Sequence, residues 1–189
     1  MRFPSSLKLP ATLLFLGFTP VQASEEPGKA SPAGNGQPVA TSPSDPTTST
    51  LGPKEGSLVI VGGGQLSLPI VERFARLAGG TEAEVVLIPT AAEDDMLDRE
   101  ALARQITNAF GFKKVAILHT RDCAEADSEA FVAPLKTARA VWFGGGRHWR
   151  LVDSYLGTRT QREVEKVLER GGVVGGSSAG ATIIGSFLV

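Results

Sequence analysis

The stretch Gly171-Gly172-Val173-Val174-Gly175-Gly176-Ser177-Ser178-Ala179-Gly180-Ala181 decides the reading of this chain. Val173 and Val174 are the apolar centre of a short buried strand, and an apolar helical run begins at Ala179. Between them, Gly176-Ser177-Ser178-Ala179-Gly180 fits the pattern G-x-S-x-G in the strand–turn–helix setting that a nucleophile elbow requires. So sharp a turn admits only small neighbours around the serine, and Gly176, Ala179 and Gly180 meet that demand. The expectation is a Ser178 hydroxyl standing above the sheet, at the positive end of the following helix. The N–H of Ala179 would then receive negative charge developing on a carbonyl oxygen. The plainer reading of the same residues is a small-residue turn that serves close packing alone.

Working outward, Ser57-Leu58-Val59-Ile60-Val61, Val85-Val86-Leu87-Ile88, Val115 to Leu118 and Ala140-Val141-Trp142-Phe143 read as further strands. Helical spacing lies between them. Pro69 opens a helix with Ile70, Phe74 and Leu77 on one face and Gly79 at its end. Leu102, Ile106 and Phe110 recur at i, i+4 and i+8 before Gly111, and Thr160-Gln161-Arg162-Glu163 reads as a capping box for a helix through Arg170. Strands apolar throughout, alternating with amphipathic helices, predict a doubly wound α/β fold: a mostly parallel sheet flanked by helices on both faces.

Phe143-Gly144-Gly145-Gly146-Arg147-His148-Trp149-Arg150-Leu151 follows the fourth strand at its carboxyl end, where open α/β sheets bind ligands. Bare glycines there let a carbonyl approach backbone N–H groups, so Gly145 and Gly146 are candidates for the other half of an oxyanion hole. Arg147, His148 and Arg150 are candidates for holding a substrate carboxylate. Gly62-Gly63-Gly64 misses the dinucleotide pattern at Ser67 and is read as a close backbone turn. His119, ending the third strand, is read as structural. Glu93, Asp94 and Asp95 are expected to start the next helix, and Cys123 to sit inert in a polar loop.

The chain has 189 residues with 19 Lys+Arg against 20 Asp+Glu, so no broad positive field favours nucleic acid. One cysteine and two distant histidines write no disulfide and no metal site, and no cofactor is expected. Residues 1–23 predict an export signal: Arg2 and Lys8, an apolar stretch from Leu9 to Val21, and small residues Val21 and Ala23 before Ser24. A periplasmic or extracellular protein free of the membrane after cleavage is the expectation. In residues 24–56, twenty of 33 positions are Ser, Thr, Pro or Gly, too polar to offset the entropy of ordering, and a linker is expected. The folded domain is expected over 57–189.

Five motifs in order carry a resemblance: Val-Gly-Gly-Gly at 61–64, Ile-Pro-Thr-Ala-Ala at 88–92, the glycine loop with Arg150-Leu151 at 143–151, Leu-Gly-Thr at 156–158, and Gly171 to Ala181. In these the chain resembles the serine peptidases that include cyanophycinase and the aspartyl dipeptidases (dipeptidase E), relatives of the class I glutamine amidotransferases. The resemblance implies Ser178 as nucleophile, Gly145, Gly146 and Ala179 as oxyanion hole, and hydrolysis of peptide or isopeptide bonds next to aspartate without metal or cofactor. A homodimer is left open. Two departures stand out. Arg147 and His148 occupy positions where the family usually has Asp or Asn and then Gln. The family's catalytic His and acid lie C-terminal to the serine, whereas this chain has only 11 residues after Ser178, so it is expected to be the N-terminal part of a longer enzyme. The alternatives are a non-catalytic exported binding domain of the same fold, or another G-x-S-x-G hydrolase.

Overall fold

A computed structural model describes residues 55–185. The export signal expected over 1–23 and nearly all of the linker expected over 24–56 lie outside the described residues. Five strands, β1 (Ser57–Val61), β2 (Glu84–Ile88), β3 (Lys114–Ile117), β4 (Ala140–Phe143) and β5 (Val173–Ser177), form one wholly parallel sheet in the order β1-β5-β4-β2-β3. The helices are α1 (Leu68–Ala78), α2 (Arg99–Phe110), α3 (Cys123–Ala126), α4 (Glu129–Thr137), α5 (His148–Tyr155), α6 (Arg159–Glu169) and α7 (Ala179–Thr182). The doubly wound α/β expectation holds.

Strand alternation divides the core into two. Val85, Leu87, Ala140, Trp142 and Val173 face α1 and α2, while Val86, Ile88, Val141, Phe143 and Val174 face α3 to α7. On the first side Phe74 meets Trp142 edge-on at 5.1 Å and Phe110 at 5.5 Å, contacts worth about 0.5–1.5 kcal/mol each beyond their burial. The Trp142 ring explains Gly175: a Cβ there would lie 2.7 Å from it. Among the described residues, cover is incomplete at edge strand β1. Val59 and Val61 pack towards α1, but Leu58 and Ile60 on the opposite face are exposed. There the expected two-sided cover is absent among the described residues.

Several local expectations need correction. The stripe of α1 is centred on Val71, Phe74, Ala75 and Ala78, with Ile70 and Leu77 at its margins. The acidic run does not start α2. Asp94–Met96 is a separate 3₁₀ turn, and Asp98 caps α2 by accepting from the N–H groups of Glu100 and Ala101. The capping box at 160–163 is not one either. The helix already begins at Arg159, Thr160 donates its hydroxyl to the Ala126 carbonyl at 2.7 Å, and buried Glu163 pairs with Lys166 at 2.8 Å. Cys123 is not in a loop but opens α3, with Sγ 2.8 Å from the Asp153 carbonyl.

Candidate active site

Ser178 sits where β5 turns into α7, and it is the one non-glycine residue with positive φ in the described chain (φ 53°, ψ −119°). Such a backbone costs on the order of 1–3 kcal/mol and persists only where neighbours over-determine it. They do so on both sides. The Ser178 N–H donates to the Val61 carbonyl at 3.0 Å, and its own carbonyl accepts from the N–H groups of Ala181 (2.9 Å) and Thr182 (3.0 Å). Ser178 is exposed while Ala179 and Gly180 beside it are buried.

The small residues of the motif are dictated by backbone contact. A Cβ on Gly180 would overlap the Phe143 carbonyl and lie 2.9 Å from the Gly144 oxygen, and one on Gly176 would overlap the Gly180 carbonyl. The turn is thereby pressed against the end of β4, whose glycine loop stands next to it. A Cβ on Gly145 would be 3.5 Å from the Ser178 Cβ.

Of the four consecutive amides in that loop, the outer two are tied down. Gly144 N–H donates to Ile88 at 3.0 Å and Arg147 N–H to Ala91 at 2.8 Å. Those of Gly145 and Gly146, like that of Ala179 in the first turn of α7, have no acceptor among the described residues. Gly146, at φ 140°, is seated so closely on Ala91 that any side chain would overlap that residue's carbonyl. The structure thus places unpaired donors beside an exposed serine.

The basic residues of the loop divide. Arg147 precedes α5, is exposed, and makes no ion pair among the described residues; His148 begins the helix, partly buried. Arg150 bonds the Glu93 carboxylate at 2.5 Å.

His119 is held, as expected of a structural histidine: Nδ1 lies 3.0 Å from Thr90 Oγ1 and Nε2 3.5 Å from Asp94. Partial burial, then the Arg121 guanidinium, hold its pKa below the ordinary imidazole value. Asp94 is held low by its hydrogen bonds from Arg121, which also donates to the Thr90 and Ala92 carbonyls. Buried Thr90 in turn meets the Tyr155 hydroxyl at 2.6 Å, and burial raises that phenol's pKa. Thr90, Arg121 and Tyr155 escaped sequence reasoning because up to 65 residues separate partners that no local pattern joins. Among the described residues no side chain hydrogen-bonds the Ser178 hydroxyl.

Fold and site together define a doubly wound α/β protein with an exposed serine on a strained strand–helix turn. The chain belongs to peptidase family S51, whose family profile matches residues 58–188. It is 29% identical over 152 residues to the cyanophycinase of Synechococcus elongatus, covering 78% of this chain and 47% of the relative. It is 26% identical over 137 residues to the cyanophycinase of Geminocystis herdmanii, covering 70% of this chain and 50% of the relative. The chain therefore spans about half the length of these curated relatives. A crystal structure of a peptidase from an acI-B1 Actinobacterium superposes with a TM-score of 0.58 at 27% identity, over 69% of this chain and 57% of that one.

Proposed function

We propose that the protein is a serine-type peptidase that hydrolyses a peptide or isopeptide bond next to aspartate, with Ser178 as nucleophile. One observation carries the reading: an exposed serine held at positive φ between backbone hydrogen bonds on both sides. Backbone strain of this kind clusters at working sites. Family membership and the likeness to cyanophycinases support this substrate class.

In this reading the Ser178 hydroxyl attacks the scissile carbonyl, and the oxyanion is received by the free amides of Gly145, Gly146 and Ala179. Donors already fixed in place cost no reorganisation as the charge develops, which is what makes such a site effective. Arg147 and His148 take the aspartate side of the substrate. A serine hydroxyl is a weak nucleophile until a base removes its proton. His119 is committed to Thr90 and Asp94. The chemistry needs neither metal nor cofactor. Export through residues 1–23 belongs to the same proposal, and amino-terminal sequencing of the secreted protein should begin at or beside Ser24.

The test is hydrolysis of aspartyl p-nitroanilide and aspartyl isopeptides by the intact protein and by Ser178→Ala. The variant should keep its fold and lose turnover by about 10⁴–10⁶. Equal rates in the two proteins would refute the assignment.

A further inference from the structure

Substrate chains in open α/β sheets lie where neighbouring strands send their helices to opposite faces, because the two connections part there and leave a crevice. This sheet has three such places. Between β4 and β2 the crevice is closed by Gly146, seated on Ala91, and by the Arg147 N–H bond to the Ala91 carbonyl. Between β2 and β3 it is filled by Thr90, His119, Asp94 and Arg121 bonded to one another. The third lies between β1, which leads to α1, and β5, which leads to α7 on the other face. At its edge Ser178 and the residues that follow β1 are exposed among the described residues.

The loop on the far side of that crevice is Gly62-Gly63-Gly64. Val61 pairs with Ser177 and accepts from the Ser178 N–H, so Gly62 follows directly beside the turn. Gly62, Gly63 and Gly64 are exposed, and their N–H groups have no backbone partner among the described residues. Gly63 (φ 150°) and Gly64 (φ 77°) need glycine for their conformation. Gly62 does not: its φ lies outside the positive region, and a Cβ there would meet nothing within 4 Å. Among the described residues neither packing nor backbone explains a glycine at 62, whereas a ligand passing over it would.

Resting on the reading of Ser178 as nucleophile, we propose that Gly62–Gly64 is a second substrate wall. The peptide backbone on one side of the scissile bond crosses the β1/β5 crevice and hydrogen-bonds these amides, opposite the Gly145–Gly146 donors. Gly62 is then a positioning and specificity residue, bare because the substrate main chain occupies the space of its side chain.

Two measurements test this. Titrating ¹⁵N-labelled Ser178→Ala protein with an acetylated Ala-Asp-Ala peptide should shift the amide resonances of Gly62, Gly63 and Gly64 together with those of Gly145 and Gly146. Shifts at 145–146 alone would overturn the second wall while leaving the nucleophile untouched. Shifts at 62–64 in a protein whose Ser178→Ala turnover is undiminished would sustain the wall and remove the nucleophile. In the catalytic protein, Gly62→Leu should keep the thermal midpoint of wild type and raise KM for an extended aspartyl peptide about tenfold or more, with kcat little changed. Reaction of Ser178 with the small reagent phenylmethylsulfonyl fluoride should proceed at the wild-type rate. An unchanged KM, or equal loss of reaction with both reagents, would overturn the proposal.

Discussion

Replacing Gly180 by alanine sets two effects against each other. Gly180 lies in the first turn of α7, and alanine in a helix interior is favoured over glycine by about 1 kcal/mol, an upper limit this close to the helix start. If nothing else mattered, the variant would be more stable. A Cβ at 180, however, would overlap the Phe143 carbonyl and stand 2.7 Å from its carbon and 2.9 Å from the Gly144 oxygen. All three atoms are backbone. Phe143 is fixed in the β4 ladder and Gly144 by its bond to Ile88, so no side-chain rotation can make room. Overpacking of well-packed interiors costs about 1–3 kcal/mol and sometimes more. Contact with fixed backbone belongs at the upper end, so a net loss of about 2 kcal/mol is expected, against a typical total of about 5–15 kcal/mol. Urea unfolding should show a lower midpoint with an unchanged slope. Thermal unfolding should drop by several degrees per kcal/mol for a domain of this size. Gly62→Ala is the control and should move neither. A Gly180→Ala protein as stable as wild type, or more so, would refute the reasoning that backbone contact selects the glycines of the turn.

Ser178→Gly should raise the unfolding free energy by about 1 kcal/mol, since glycine adopts positive φ without strain, and should abolish hydrolysis because the hydroxyl is gone; a less stable variant would show that the turn is not strained. Lowering the pH should destabilise the wild type through His119. Its folded pKa is depressed, so its contribution is complete above the ordinary value of 6.5 and is lost as pH falls through the folded value. His119→Gln should flatten that limb of the stability–pH curve, and an unchanged curve would count against it. Arg121→Gln should let the Asp94 pKa rise towards its ordinary 3.8, read by carboxyl NMR titration; an Asp94 that stays low would mean the guanidinium is not the cause. Thr90→Val leaves the buried Tyr155 hydroxyl with only the Thr120 N–H, at 3.4 Å, and should cost about 1–3 kcal/mol in urea unfolding.

The sequence carried the strands and the serine turn for a physical reason: both are local. A strand buried on two faces must be a run such as Val85-Val86-Leu87-Ile88, and a turn pressed on backbone must be small-residue, so composition reports both. The helices between β3 and β5 were harder to read. α3 is only four residues long and α4 carries Pro134 in its interior, so neither shows a helical stripe. Thr160 fits a capping box by spacing alone, yet its hydroxyl is taken by Ala126 across the fold. The pairing of Arg150 with Glu93 spans 57 residues and has no local sign. Nor has the face of the sheet that each helix takes.

Whether Ser178 is the nucleophile is tested most directly by trapping the acyl-enzyme. Acid-quenching the intact protein during turnover of an aspartyl ester should leave one aspartyl adduct on the tryptic peptide that begins at Gly171. Fragmentation should place that adduct on Ser178 rather than on its neighbour Ser177, and Ser178→Ala should carry none. An adduct on any other residue, or undiminished hydrolysis by Ser178→Ala, would contradict the account.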